Sequence, residues 1–550
     1  MQEKKEFLIH RSSHLDFIPC LVLFCVGVLL RGPFMGKILY HWDSINFAYS
    51  LQQFDVAKGQ PHVPGYILYV FLARLVNLIF NDAQLTLVTI SVISTGLAIA
   101  WLYLLGSIMF NRAIGLLAAL FLASSPLFWF YGEIALPHTL DTFSVILIAW
   151  FLYQIMQGGD RFVIPLAIWL ALAGGMRPQT EVFLAPLTLY ALMVYLLESR
   201  SGDAVWQGLN KTRLKTVIVA LIIFLGVNLA WFVPLLWLSG GYSRYFQIMA
   251  QFSDEFQTTT SVFKEAGWVG LRRNIIKLTM YTLYAWGLPL IPVLVAGVKL
   301  LKSSSVQAIS KLALRFQNLK RFWFLFCWIV PSFVYYLFIH MGQQGLVFVY
   351  LPALLLISAA SVHYLAELTA FSTMSGLKKF AIVGLIIANG LIFVAMPTYP
   401  LGSDSFKLLT HDTLRLHDSS YLSRFEAVRQ QLPPSHTFIL ASQWRFPQYY
   451  LPEYKLLPYK LISRWEIGEG QSSFKDTETI DGAVVGLTTD NEGNFNVILF
   501  DDELLPFNRS PDHQQYLTLP NGEKLTYLRF TPQERFNINP QFYEVVMAGK

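Results

Sequence analysis

The feature that most constrains this chain is a series of apolar runs, each long enough to cross a lipid bilayer as a helix. A hydrocarbon core about 30 Å thick needs about 20 helical residues. Candidate spans lie near 17–31, 86–108, 113–130, 139–156, 162–176, 180–197, 214–238, 276–299, 322–340, 345–367 and 380–397. They raise the hydrophobic share to 54% and leave only 14% charged residues, where a soluble domain carries about 25%. A transmembrane β-barrel would alternate in segments of about 10 residues, and nothing before residue 400 does so. The chain therefore reads as a polytopic α-helical membrane protein. Cys20, Cys25 and Cys327 all lie inside apolar segments, with neither metal-ligand spacing nor a disulfide framework. The net charge of +6 sits in loops between spans, so no nucleic-acid partner is expected.

One further apolar stretch, YILYVFLARLVNLIF (66–80), is short and carries Arg74 in its middle. The loops 198–215, 299–321 and 378–379 are the most basic, and they share one side only if 66–80 does not cross. It is therefore expected to lie in the interface or to be half-inserted, with Arg74 reaching headgroups. The expected topology has about 11 crossings. The N-terminus, with Lys4, Lys5 and Arg11, is then cytoplasmic, and the C-terminal part lies outside an inner (plasma) membrane. No A-x-A-like cleavage site follows the first span, so it is expected to be retained.

Past residue 400 the chain turns polar and turn-rich. Short β-rich runs appear at 437–441, 483–487, 496–500 and 516–519, preceded by a helical YLSRFEAVRQQL. The run ending at Leu519 is followed by Asn521-Gly522 and KLTYLRF, a hairpin signal. Two domains are expected: 1–400 in the membrane and 401–550 as a small soluble α/β domain.

On this topology the unusual polar residues collect on the outer face. The first outer loop offers His41, Asp43, Asp55, Lys58 and His62. The second, FWFYGEIALPHTLD, offers Glu133, His138 and Asp141; GGMRPQTE offers Arg177 and Glu181; HMGQQG offers His340, Gln343 and Gln344. The loop 240–275 adds Arg244, Asp254, Glu255, Arg272 and Arg273. Ionisable groups at span ends fit a site at the membrane–water boundary, whereas a transport path would put them near mid-span. Each residue also has a plainer reading. Asp43 can cap a helix, Asp55 can sit on the solvated face of that helix, and Asp141 can favour a helix N-terminus. Arg177 can pair with Glu181, His62 can be a bystander in a rigid Pro turn, and His340 can close a span end.

The pieces HWDSINFAYSL, QPHVPGYILY, SSPLFWFYGEIALPHTLDTF, GGMRPQT and GQQGLVFVYLPALL resemble the GT-C membrane glycosyltransferases. The likeness is to the glycosyltransferase family 39-like branch of protein O-mannosyltransferases and lipid A aminoarabinose transferases. It spans roughly residues 17 to 400. It implies transfer of a sugar from a polyprenyl-phosphate donor to an acceptor hydroxyl, on a protein, lipid or polysaccharide, at the extracytoplasmic face of the bilayer. It implies Asp43 as catalytic base or metal partner, and Glu133, with His138 and Asp141, at the second-loop acidic position. Lys58, His62, Arg74, Arg177 and His340 become candidates for the carrier phosphate, with Gln343 beside them. Many relatives have adjacent acids in the first loop where this chain has Asp43-Ser44. A divalent ion (Mg, Mn, Ca or Zn) held by Asp43, Glu133 and His138 is then one reading, and a metal-free site the other. The rival readings are a lipid-linked sugar flippase, a transferase of the O-antigen-ligase kind, and a non-catalytic envelope assembly protein.

Overall fold

The structure is a computed structural model describing residues 2–197, 210–302, 319–368, 375–400, 407–459, 462–465, 472–475, 484–489, 493–532, 534–539 and 541–547. The basic residues Arg200, Lys311 and Arg315 lie outside the described residues. The chain divides into two compact units. One takes residues 1–36, 46–398 and 408–412; the other takes 37–45, 399–407 and 413–550.

The first unit is helical. Helix α4 (Ala83–Met109) packs against α1 (Gln2–Leu29), α5 (Arg112–Ser124) and α7 (His138–Met156). Its approach to α1 is close because Gly27 meets Gly96 there, and a Cβ on Gly27 would lie 2.9 Å from the Gly96 Cα. Helix α7 is buried on every side from His138 to Ala149. By contrast α10 (Lys211–Leu238) shows Ile222, Leu225 and Trp237 to the outside, the mark of a lipid-facing surface.

Among the described residues, 6 helices are long and apolar enough to cross a membrane, or up to 8 if each of two bent pairs is one span. Those bent pairs fall where single spans were expected at 113–130 and 276–299. Helix α5 breaks at Ser125-Pro126 and turns 65° into α6 (Pro126–Gly132), because a proline suits a helix start and not its interior. Helix α12 (Gly267–Trp286) turns 102° into α13 (Leu290–Lys302). Gly287 makes that corner at φ 64°, with Asn389 Oδ1 accepting from the Leu288 N–H at 2.9 Å. The stretch at 66–80 forms α3 (Ile67–Phe80), 14 residues or about 21 Å long, short of a hydrocarbon core. Helices α8 (Val163–Met176), α9 (Pro178–Leu197) and α11 (Tyr242–Thr260) belong to the same unit, as do α14 (Leu319–Phe338), α15 (Leu351–Leu368) and α16 (Ser375–Ala395).

The second unit carries the β-structure. Strands β1 (Thr437–Ala441), β2 (Lys455–Pro458), β3 (Phe495–Leu499), β4 (Gln514–Thr518) and β5 (Lys524–Phe530) form one sheet in the order β2-β1-β3-β5-β4. β1 runs parallel to β2 and β3, and β5 antiparallel to β3 and β4. The hairpin expected around Asn521-Gly522 forms, with Lys524 opposite Thr518. Phe438, Leu440, Val497, Leu499, Leu528 and Phe530 build the core. On the neighbouring helix, His411–Gln431, Phe425 stacks on Phe500 and Arg424 donates to the Phe500 carbonyl. The segment 37–45 joins this unit. Lys37 N–H donates to Asp418 Oδ2 at 2.8 Å, Leu39 N–H to the Tyr450 hydroxyl at 2.9 Å, and Trp42 meets Trp444 edge-on at 5.1 Å.

Candidate active site

The helical unit gathers polar residues where several of its helices end. Helix α7 begins at His138, α8 gives way to α9 at Arg177, α14 ends at Phe338, and α3 begins after Tyr66. Asp141, in the first turn of α7, accepts from Arg177 Nη1 at 2.7 Å, and the Thr180 hydroxyl donates to its other oxygen. Both members of the ion pair are buried, and the hydroxyls of Tyr66 and Tyr336 face the guanidinium. Burial opposes the Arg177 charge, but the Asp141 carboxylate together with Tyr336 and Tyr66 outweighs it, so the guanidinium is held more firmly charged than usual. Arg177 thus pairs with Asp141 in place of the Glu181 that a local reading offers.

A second group sits past the end of α14. His340 Nδ1 meets Thr260 Oγ1 at 3.1 Å, and that hydroxyl lies 2.7 Å from the Phe256 carbonyl it can donate to. Asn274 Nδ2 donates to the carbonyls of Thr260 (2.9 Å) and Leu337 (3.2 Å), and Arg273 Nη1 to that of Met341 (3.3 Å). The charged groups facing His340 are Arg273 and Lys277. Burial, reinforced by those two cations, pushes the imidazole down to about 4. The two cations Arg273 and Lys277 thus face an imidazole that burial keeps neutral.

Glu133 follows α6 and is fully buried. Its carbonyl accepts from Gly36 N–H at 3.1 Å, but among the described residues neither carboxyl oxygen finds a hydrogen-bond donor in full geometry. Burial lifts this carboxyl well above the usual carboxylate range; the Arg31 guanidinium and the Trp129 indole pull the other way without overcoming it. Arg31, also fully buried, lies over the Trp129 ring at 4.5 Å and donates Nη2 to the Ala123 carbonyl at 2.9 Å. Sequence reading passed over Arg31 because it ends the first span like any flanking cation. It passed over Lys277 because that residue lies inside an apolar run, although its i, i+4 spacing from Arg273 puts the two on one helix face.

The other candidates are placed as follows. His138 packs its ring against Tyr131 at 4.9 Å and against Gly345. A Cβ at Gly345 would lie 2.5 Å from His138 Cδ2, so this contact admits only glycine. Gln343 precedes the 3₁₀ turn Gln344–Val349 that carries Gly345. His62 sits in the Pro61–Pro64 turn with its ring on Phe47 and Tyr66. Arg74 turns inward and donates Nε and Nη2 to the Ser50 carbonyl at 3.1 and 2.7 Å, closing the last turn of α2 (Trp42–Gln52); a cation at a helix C-terminus is favoured by the dipole. Asp55 lies beyond α2 and not on it: it caps the turn Val56–Lys58, accepting from Ala57 N–H at 3.1 Å and pairing with Lys58 at 3.5 Å. Asp43 belongs to the second unit. It stands in the first turn of α2, its N–H donating to His41 Nδ1 at 3.1 Å, so His41 does the capping that the plainer reading gave to Asp43.

A sequence profile of the dolichyl-phosphate-mannose-protein mannosyltransferase family matches residues 62–231. ArnT from Cupriavidus metallidurans, bound to undecaprenyl phosphate, superposes with TM-score 0.52 at 11% identity, over 94% of this chain and 98% of that one. The chain has the GT-C membrane glycosyltransferase fold. The apo form of ArnT gives TM-score 0.50 at 9% identity, over 95% and 98% of the two chains. An Archaeoglobus fulgidus oligosaccharyltransferase, in complex with Zn and sulfate, matches more distantly, with TM-score 0.40 at 13% identity over 80% of this chain and 62% of that one. No curated protein matches the chain by sequence.

The metal reading of Asp43, Glu133 and His138 finds no ligand set among the described residues. Among the described residues no three His, Cys, Asp or Glu side chains are grouped to hold an ion. Glu133 faces an arginine and His138 packs its ring on Tyr131 and Gly345. No step of the reaction proposed for it is routed through a metal.

Proposed function

We propose that the protein is a glycosyltransferase that moves a sugar from a polyprenyl-phosphate donor to an acceptor hydroxyl, with inversion, at the extracytoplasmic face of an inner membrane. The observation that carries this reading is the group of His340, Arg273 and Lys277. Arg273 and Lys277 are like charges one helical turn apart, unfavourable until an anion joins them, and the neutral His340 imidazole beside them can add a hydrogen bond to a phosphate. His340, just past the end of the lipid-length helix α14, suits a phosphate whose tail stays in the bilayer. The undecaprenyl phosphate bound to the similarly folded ArnT agrees with that chemistry. The topology belonging to this reading has about 11 crossings, a cytoplasmic N-terminus and an extracytoplasmic C-terminal domain.

In the reaction, a carboxylate takes the acceptor's hydroxyl proton as its oxygen attacks the anomeric carbon. The bond from that carbon to the phosphate oxygen breaks, and the phosphate leaves with the electron pair. The leaving group is already acidic, so it needs cations and no proton. Asp43 is the proposed base. Glu133, whose burial favours the uncharged carboxyl, is the proposed contact to the sugar. His340, Arg273 and Lys277 take the phosphate, with Gln343 close in sequence to His340, and Arg177 holds Asp141 in place. His62, His138, Lys58 and Arg74 line or brace the loops that shape this end.

The test is transfer by the full-length protein in lipid nanodiscs from synthetic polyprenyl-phosphate sugars. Wild type should release the sugar to an acceptor. Asp43→Asn should abolish turnover while leaving donor binding intact, and Lys277→Met should weaken donor binding. Failure of wild type with every donor sinks the proposal; full turnover by Asp43→Asn removes Asp43 from it.

A further inference from the structure

A cavity of about 640 Å³ lies between α13, α14 and α15, with Phe110 and Asn111 on its wall. That volume is in the usual range for small-molecule sites. It is far from the candidate active site. Arg321, which lines it, stands near the start of α14, and His340 lies just past the end of that 20-residue helix, about 30 Å away along the axis.

We propose that this cavity holds the headgroup of an anionic glycerophospholipid, with its acyl chains lying along α13 and α14. Two observations carry the proposal. The first is charge. Arg321 and His363 line the cavity together with the polar groups of Asn111, Ser361 and Tyr364, and among the described residues no carboxylate lines it. Arg321 is held in place there, its guanidinium 5.1 Å from the Phe110 ring centre and its Nε donating to the Tyr153 hydroxyl at 3.3 Å. Lys299 and Lys302 close the last turn of α13. A guanidinium fixed by packing loses little entropy when it meets a phosphate.

The second observation is the mouth. Phe322 and Phe326 both line the cavity and are exposed, and on α13 Leu294, Val298 and Leu301 are exposed as well. A cavity whose rim is hydrocarbon, on helices of membrane-spanning character, opens sideways to lipid and not to water. A soluble anion would have to cross that rim; a lipid phosphate arrives with its chains already in it. The inference depends on the chain residing in a bilayer and is independent of the proposed sugar transfer.

The test uses full-length protein. Native mass spectrometry after detergent delipidation should show phosphatidylglycerol retained about tenfold more than phosphatidylcholine, the order expected for one charge-assisted contact. Ala360→Trp, which fills the cavity, and Arg321→Gln should each remove that preference, with the melting temperature of Ala360→Trp unchanged. On wild type alone, a diazirine-bearing phosphatidylglycerol should crosslink to α13, α14 or α15 near Arg321. Equal retention of the two lipids, retention surviving Ala360→Trp, competition by inorganic phosphate as strong as by lipid, or crosslinks confined to other helices would each overturn the proposal.

Discussion

Arg177 and Asp141 lie 36 residues apart in sequence and meet at 2.7 Å with both side chains buried. The pair ties the start of α7 to the junction of α8 and α9, at the end of the helical unit that carries the other candidate residues.

Removing one partner should therefore cost more than removing both. Asp141→Asn strands a buried guanidinium, and loss of one member of a buried pair costs about 3–5 kcal/mol. Asp141→Leu combined with Arg177→Met removes both charges and should be the milder change. Thermal melting of the singles and the double in detergent checks this; a double variant melting below both singles would contradict the pairing.

His340 gives a stability slope with a definite sign. Its folded-state pKa, about 4, lies below the ordinary value of 6.5. As pH falls through 6.5 the unfolded chain takes up a proton that the folded chain refuses, so stability present above pH 6.5 is lost on acidification towards 4. The full effect is roughly 3 kcal/mol. Melting temperature measured from pH 7.5 to 4.5 should fall less steeply in His340→Gln; identical slopes would mean that the imidazole is not buried beside its cations.

Glu133→Gln should leave stability within about 1 kcal/mol of wild type, because burial already favours the uncharged carboxyl. Turnover should drop if the carboxyl contacts the sugar, by about the hundredfold typical of a lost catalytic donor. A melting temperature lowered by many degrees would show that the charge is kept and matters to the fold.

Gly345→Ala pushes a methyl against His138 Cδ2. Overpacking of this kind costs about 1–3 kcal/mol. Because the displaced ring sits at the start of α7, donor binding should weaken beyond what the change in melting temperature alone accounts for. Normal donor affinity in a stably folded Gly345→Ala would separate His138 from the site.

Much of this chain is written locally. Lipid-length apolar runs force helices, since no other spanning element satisfies the backbone within one segment. The Asn521-Gly522 hairpin follows from turn geometry. The breaks at Pro126 and Gly287 were present as residues, but their depth within apolar runs hid them from a reading that weighs mean hydropathy. Arg74 illustrates the other kind of difference. A cation in a short apolar helix reads as reaching for headgroups, yet Ser50 offers it a carbonyl across 24 residues, and a helix end supplies the stronger local field.

By itself the amino-acid sequence determined the membrane class, the helix-forming segments, the β-rich C-terminal part and the set of polar residues at span ends. Those properties depend on period and composition over a few turns of chain. Which residue each polar group meets was decided only by tertiary structure: Arg177 with Asp141, Arg31 beside Glu133, His340 with Arg273 and Lys277, and the segment of Asp43 within the second unit. Partner choice depends on how helices cross and how closely they approach, and buried electrostatics changes steeply with that distance.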